Sequence, residues 1–136
     1  MKILALDLGD KWVGSAMSDT LGILARPHQT TTAKELIPFL HKTIAEYSIK
    51  TIVVGYPKTM KGLVSEQTQK VIDQVENLKK LFPTIKWVLW DERLTSKQAD
   101  QIKRGKNKED KIKSHSLAAA LVLEGFLMYA RNQNIV

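Results

Sequence analysis

Hydrophobic positions fall along this chain in short blocks of two kinds, and each kind predicts a different element. Ile3 to Leu8 is a continuous apolar run interrupted by one aspartate, Asp7. A short run without alternation reads as a buried strand. Gly9-Asp10-Lys11 carries turn chemistry, so Trp12 to Ser18 is predicted to return as the second arm of a hairpin. Asp19-Thr20 marks a further turn. A third strand is expected to begin at Leu21 to Leu24 and run toward Gln29, with Pro27 implying an edge strand or a bulge. Thr51 to Gly55 is a fourth short buried strand, and Ile85 to Trp90 is a fifth strand.

The longer blocks repeat with helical spacing. Thr32 to Tyr47 reads as a helix, and Thr32 with Glu35 resembles a capping box. Pro38 belongs in a first helical turn, so this helix either begins nearer Glu35 or is kinked. Residues 57–64 are expected to form a loop around Gly62. Ser65 to Phe82 places Val71, Ile72, Val75, Leu78 and Phe82 on one face, and Pro83 stops it. Thr95 with Gln98 caps another helix, running to about Arg104. Residues 105–113 read as a polar loop. Ser114 to Arg131 is apolar on most sides and is predicted to be a largely buried helix.

Hairpins come first and crossover units follow. That order predicts an α/β fold: a five-stranded mixed sheet, antiparallel at one side and parallel at the other, with helices on both faces. No repeat or linker divides residues 1–136, so a single domain is expected.

Composition narrows the class. Apolar residues make up 43% and charged residues 26%, as in a globular protein. There is no cysteine, which excludes disulfides and thiolate metal sites. No run approaches the roughly 18 apolar residues of a membrane span, and the first apolar block is too short for a signal peptide. A cytoplasmic protein without membrane contact is the expectation, as monomer or homodimer. Lys and Arg total 21 against 14 Asp and Glu, a net charge of +7. That balance suits a polyanionic partner, and equally suits simple solubility.

Asp7 is the position that calls for chemistry. A buried carboxylate is costly unless it is paired or holds a metal. In the predicted sheet it lies on a central strand, while Asp91 and Glu92 of "WDERLTS" close the fifth strand. Active sites in open α/β sheets gather at the carboxyl ends of the parallel strands. Asp7 and Glu92 are therefore candidates for one metal site. Magnesium needs only one or two protein carboxylates, and two such ions roughly 3.5–4 Å apart serve phosphodiester hydrolysis. The plainer alternative is that Asp91 pairs with Arg93 or caps the following turn.

Four segments together resemble the YqgF/RuvX family. They are "LALDLGDKWVGSAMSD" at 4–19, "VVGYPKTMKG" at 53–62, "WDERLTS" at 90–96 and "SHSLAAALVLEGFL" at 114–127. They occur in the family's order over nearly the whole chain. The resemblance implies an RNase H-like fold and a nuclease dependent on a divalent metal, Mg²⁺ or Mn²⁺. It further implies a role in maturing the 5′ end of pre-16S ribosomal RNA, with Holliday junction resolution as the alternative. By motif match Asp7 and Glu92 would be metal-binding carboxylates, with Asp91 less suited to direct coordination. Lys11 and Arg93 would contact phosphates or orient the carboxylates. Gly9, Gly14, Gly55 and Gly62 would let backbone turn or approach closely.

The chain departs from that pattern twice. Trp12 stands where the family usually has arginine, so phosphate binding is weakened, or the indole stacks on a base, or it merely covers the sheet. The family's third acidic residue falls on His115. Histidine there would be a metal ligand favouring Mn²⁺ or Zn²⁺ over Mg²⁺, an acid or base, or an uninvolved residue at a helix start. Glu124 is a poor substitute. It lies nine residues on, and about 100° per residue puts it on the opposite side of the helix. The segment 102–113 carries six basic residues against two acidic ones. Lys103, Arg104, Lys106 and Lys108 are its candidates for gripping a nucleic-acid backbone, which the resemblance implies to be a structured or single-stranded rRNA precursor. A nucleic-acid-binding module made inactive by His115 is the alternative to an active nuclease. A phosphate loop of the actin-like ATPase kind fits poorly, because Asp10 stands where those have Ser or Thr.

Overall fold

A computed structural model of the chain describes residues 2–56, 65–91 and 108–133, with side chains in the last segment from Ile112 onward. The expected loop at 57–64 and the expected helix from Thr95 to Arg104 lie outside the described residues.

Five strands form one sheet in the order β3-β2-β1-β4-β5. They are β1 (Ile3–Leu8), β2 (Trp12–Ser18), β3 (Ala25–Thr32), β4 (Thr51–Tyr56) and β5 (Lys86–Asp91). β1, β2 and β3 pair antiparallel, while β4 and β5 join β1 in parallel. The apolar run of β1 is explained by this place: the strand is central and buried on both faces.

Helices α1 (Leu36–Tyr47) and α2 (Glu66–Leu81) cover one face, and α3 (Lys108–Asn132) covers the other. Leu4, Leu6, Val13, Ile52 and Val54 pack against Phe39 and Leu40 of α1 and Val71, Val75 and Leu78 of α2. Each such side chain contributes about 2 kcal/mol by leaving water. The opposite face is lined by smaller residues. Ala5, Ala16 and Val53 meet Ala119, Val122, Leu123 and Phe126 of α3. Small side chains on both partners let this helix lie close to the sheet.

Three boundaries differ from expectation. Leu21 to Leu24 do not begin a strand. Asp19 Oδ1 accepts hydrogen bonds from the backbone N–H of Ile23 at 2.7 Å and Leu24 at 3.3 Å. Those N–H groups are therefore taken, and Gly22 turns the chain with φ 70°. The same bonds, Ile23's foremost, hold the Asp19 carboxyl below its ordinary range. β3 starts only at Ala25. It is an edge strand with a register shift opposite Gly14 and Ala16, as Pro27 implied on both counts. At the shift Ser15 Oγ donates to the Gln29 carbonyl and accepts from its N–H.

The helix expected from Thr32 begins at Leu36, after one 3-10 turn at Ala33–Glu35. Pro38 thus sits in the first turn of α1, where its missing N–H costs nothing. Thr32 Oγ1 meets the Glu35 carboxylate, but no side chain caps this helix start. Finally, α3 begins at Lys108, not Ser114. Residues 108–113 are helix where a loop was expected. Their polar sequence hides the helical period, yet no proline or glycine interrupts the chain from Asn107 to Glu124.

Candidate functional site

One row of residues crosses all five strands at the carboxyl end of β1. The register joins Thr30 to Gly14, Gly14 to Asp7, Asp7 to Gly55 and Gly55 to Trp90. Side chains of a row share a face, and this face is the one under α3. Asp7 therefore stands between two glycines. Neither neighbour presents a side chain, so the space beside the carboxylate is left to whatever approaches from α3.

That approach is made by backbone. A Cβ on Gly14 would run into the His115 carbonyl group and come within 2.6 Å of the Ser116 nitrogen. The helix thus rests directly on β2 at this point. Close approach here is what the motif match expected of Gly14. At Gly9 a Cβ would stand 2.6 Å from the Trp12 carbonyl oxygen and 3.9 Å from His115 Cε1. The imidazole accordingly reaches across to the β1–β2 turn.

His115 Nδ1 lies 3.5 Å from Asp7 Oδ2. The Asp7 side chain is only 9% exposed and that of His115 28%. The separation is too long for a good hydrogen bond. His115 Nδ1 is itself enclosed and has no hydrogen-bond partner among the described residues. An enclosed polar atom without a partner costs about 1–3 kcal/mol. A carboxylate oxygen and an imidazole nitrogen facing each other are a donor pair that fits a divalent cation, Mn²⁺ and Zn²⁺ better than Mg²⁺. Among the described residues, no group of three or more metal-ligating side chains assembles; Asp7 and His115 supply two. His115 is not at a helix start, as sequence implied, but two turns into α3.

The other expected site residues separate clearly. Asp91 pairs in register with Tyr56, one step beyond the Gly55–Trp90 pair. By strand alternation it lies on the face away from Asp7. Lys11 is exposed in the β1–β2 turn, with Nζ 5.8 Å from the centre of the Trp12 ring. Glu124 is exposed and lies nine residues further along α3 than His115. Glu92, Arg93, Lys103, Arg104 and Lys106 lie outside the described residues. Lys108 opens α3, and its side chain lies outside them too.

Two contributors were not legible beforehand. Thr30 Oγ1 donates at 2.8 Å to the Ile112 carbonyl and so ties α3 to the edge strand one turn before His115. Its only sequence signal is a polar run on a strand, which says nothing of a partner 82 positions away. Trp90 closes the other end of the row, against Phe126 and Tyr129 with ring centroids at 5.9 and 5.6 Å. We expect Thr30→Val to lose about 1 kcal/mol in urea unfolding and to lower cleavage activity. Thr30→Ser should restore both; equal behaviour of the two variants would deny the tether any part in placing His115.

The family profile described as "RuvX: Holliday junction resolvase" matches residues 1–129. A protein of Rubrobacter xylanophilus named "Putative pre-16S rRNA nuclease" is 35% identical over 127 residues, covering 93% of this chain and 91% of its own. One of the same name from Thermoanaerobacter pseudethanolicus is 39% identical, covering 98% and 100%. The fold matches that of Thermus thermophilus RuvC bound to a Holliday junction substrate, with a TM-score of 0.57 at 13% identity. That match covers 97% of this chain and 96% of the other. The sheet order and this likeness make the fold RNase H-like, as the motifs implied. No helix among the described residues is long and apolar enough to cross a membrane.

Proposed function

This chain belongs to the RuvX family and is a nuclease, a hydrolase of ester bonds, and from that premise we propose that it is a metal-dependent nuclease acting on the 5′ leader of precursor 16S rRNA. The observation that carries the proposal is the meeting of Asp7 and His115 over the glycine-flanked end of β1. The names of the relatives support the substrate.

In this reading Asp7, His115 and Glu92 hold the metal. When bound, a divalent metal supplies an activated water and neutralises charge on the phosphate. Asp7 is fixed by β1 on a rigid central strand, so it orients what it holds without reorganising. His115 would contribute an imidazole nitrogen from α3. Lys11 and Arg93 meet phosphate oxygens beside the scissile bond, and Lys103, Arg104, Lys106 and Lys108 grip the flanking backbone.

The test is cleavage of a labelled pre-16S leader and of a four-way DNA junction, with Mg²⁺ and Mn²⁺ separately, beside His115→Asp. Wild type is expected to cut the leader and to prefer Mn²⁺. His115→Asp should move the preference toward Mg²⁺ by about tenfold, since a hard oxygen replaces the imidazole. Cutting of the junction alone would replace the rRNA reading with the resolvase one. Binding of the leader without cutting in either metal would make the chain an inactive binding module.

A further inference from the structure

We propose that Trp12, with Lys11 beside it, is a stacking platform for an unpaired nucleobase next to the reacting phosphodiester. The inference rests on the nuclease reading and adds the class of substrate: a strand that is single at the cut, not a continuous duplex.

Trp12 is the one residue of β2 that is not buried. By strand alternation it shares a face with Gly14 and Ala16, hence with Asp7 and α3. Its carbonyl and the His115 ring border the same point above Gly9, at 2.6 and 3.9 Å. The indole thus stands at the rim of the site. The other two tryptophans behave differently. Trp87 and Trp90 each pack on a core cluster and on neighbouring rings. Among the described residues Trp12 joins neither cluster, and the Lys11 ammonium stands over its ring.

The pair matches one nucleotide. A flat apolar ring accepts the face of any base, and the ammonium 5.8 Å away reaches the phosphate of the same unit. A base inside a duplex is already stacked on both sides and cannot use the ring, so the platform favours unpaired strands.

The test is binding in EDTA, where nothing is cut, of a short fluorescein-labelled single-stranded RNA. The same RNA with abasic positions and a blunt duplex of its sequence serve as comparisons. Wild type, Trp12→Phe and Trp12→Leu are measured together, the last keeping apolar bulk without a ring. Trp12→Leu should bind the single strand about tenfold more weakly, and Trp12→Phe within about threefold of wild type. The difference should vanish on the abasic RNA and on the duplex. Equal binding by Trp12→Leu and wild type would overturn the platform, as would an equal loss on all three ligands. Should Trp12→Leu not fold, wild type alone decides: equal affinity for intact and abasic RNA overturns it. Cleavage of the same RNA with Mn²⁺ keeps the two ideas apart. Ring-dependent binding without cutting fails the nuclease reading only, and cutting unaffected by Trp12→Leu fails the platform only.

Discussion

Asp7→Asn is expected to abolish cleavage in either metal while leaving the fold intact. The loss should reach about a thousandfold, because the metal's part in stabilising the transition state is on the order of 4 kcal/mol. The fold should survive because the substitution keeps the shape of a side chain that is only 9% exposed. That combination separates a functional carboxylate from a structural one. A structural carboxylate would cost stability when neutralised. Calorimetry beside the cleavage assay checks both halves. Full activity in Asp7→Asn would take this residue out of the mechanism.

Gly14→Ala should do the reverse, harming the fold and the site together. Its methyl group would occupy the place of the His115 carbonyl and stand 2.6 Å from the Ser116 nitrogen. Side chains can swing away from an added methyl, but the backbone of a packed helix cannot do so cheaply. We expect a loss on the order of 3 kcal/mol in urea unfolding. Activity should fall further than stability alone explains. A shift of about 1 Å in a positioned group can cost 10²-fold in rate. A protein that retains wild-type stability and activity with alanine at this position would show that α3 does not rest on Gly14.

The sequence spoke clearly where short-range signals act alone. The central strands β1, β2 and β4 and the amphipathic α2 stand close to their predicted bounds, because burial on a sheet and a helical stripe are written in consecutive residues. Leu21 to Leu24 misled because apolar content suggested a strand, while one carboxylate two positions earlier claimed the backbone donors. The first turns of α3 misled because they are too polar to show a period, although nothing in them breaks a helix. The candidate site divides in the same way. Asp7 announced itself as a charge in an apolar run. His115 did not; only the family pattern marked it, since residues alone cannot say that α3 crosses β1. Thr30 gave no warning, for its partner is a backbone carbonyl on a distant element.

The distance in sequence between Asp7 and His115 has a consequence in time. Asp7 and Gly14 belong to one hairpin, and hairpins form within microseconds once their residues exist. His115 comes more than one hundred residues later. At about 5–20 residues per second, a growing chain spends several seconds with Asp7 made and its counterpart not yet synthesised. An emerging chain therefore carries Asp7 for seconds before the imidazole that faces it exists.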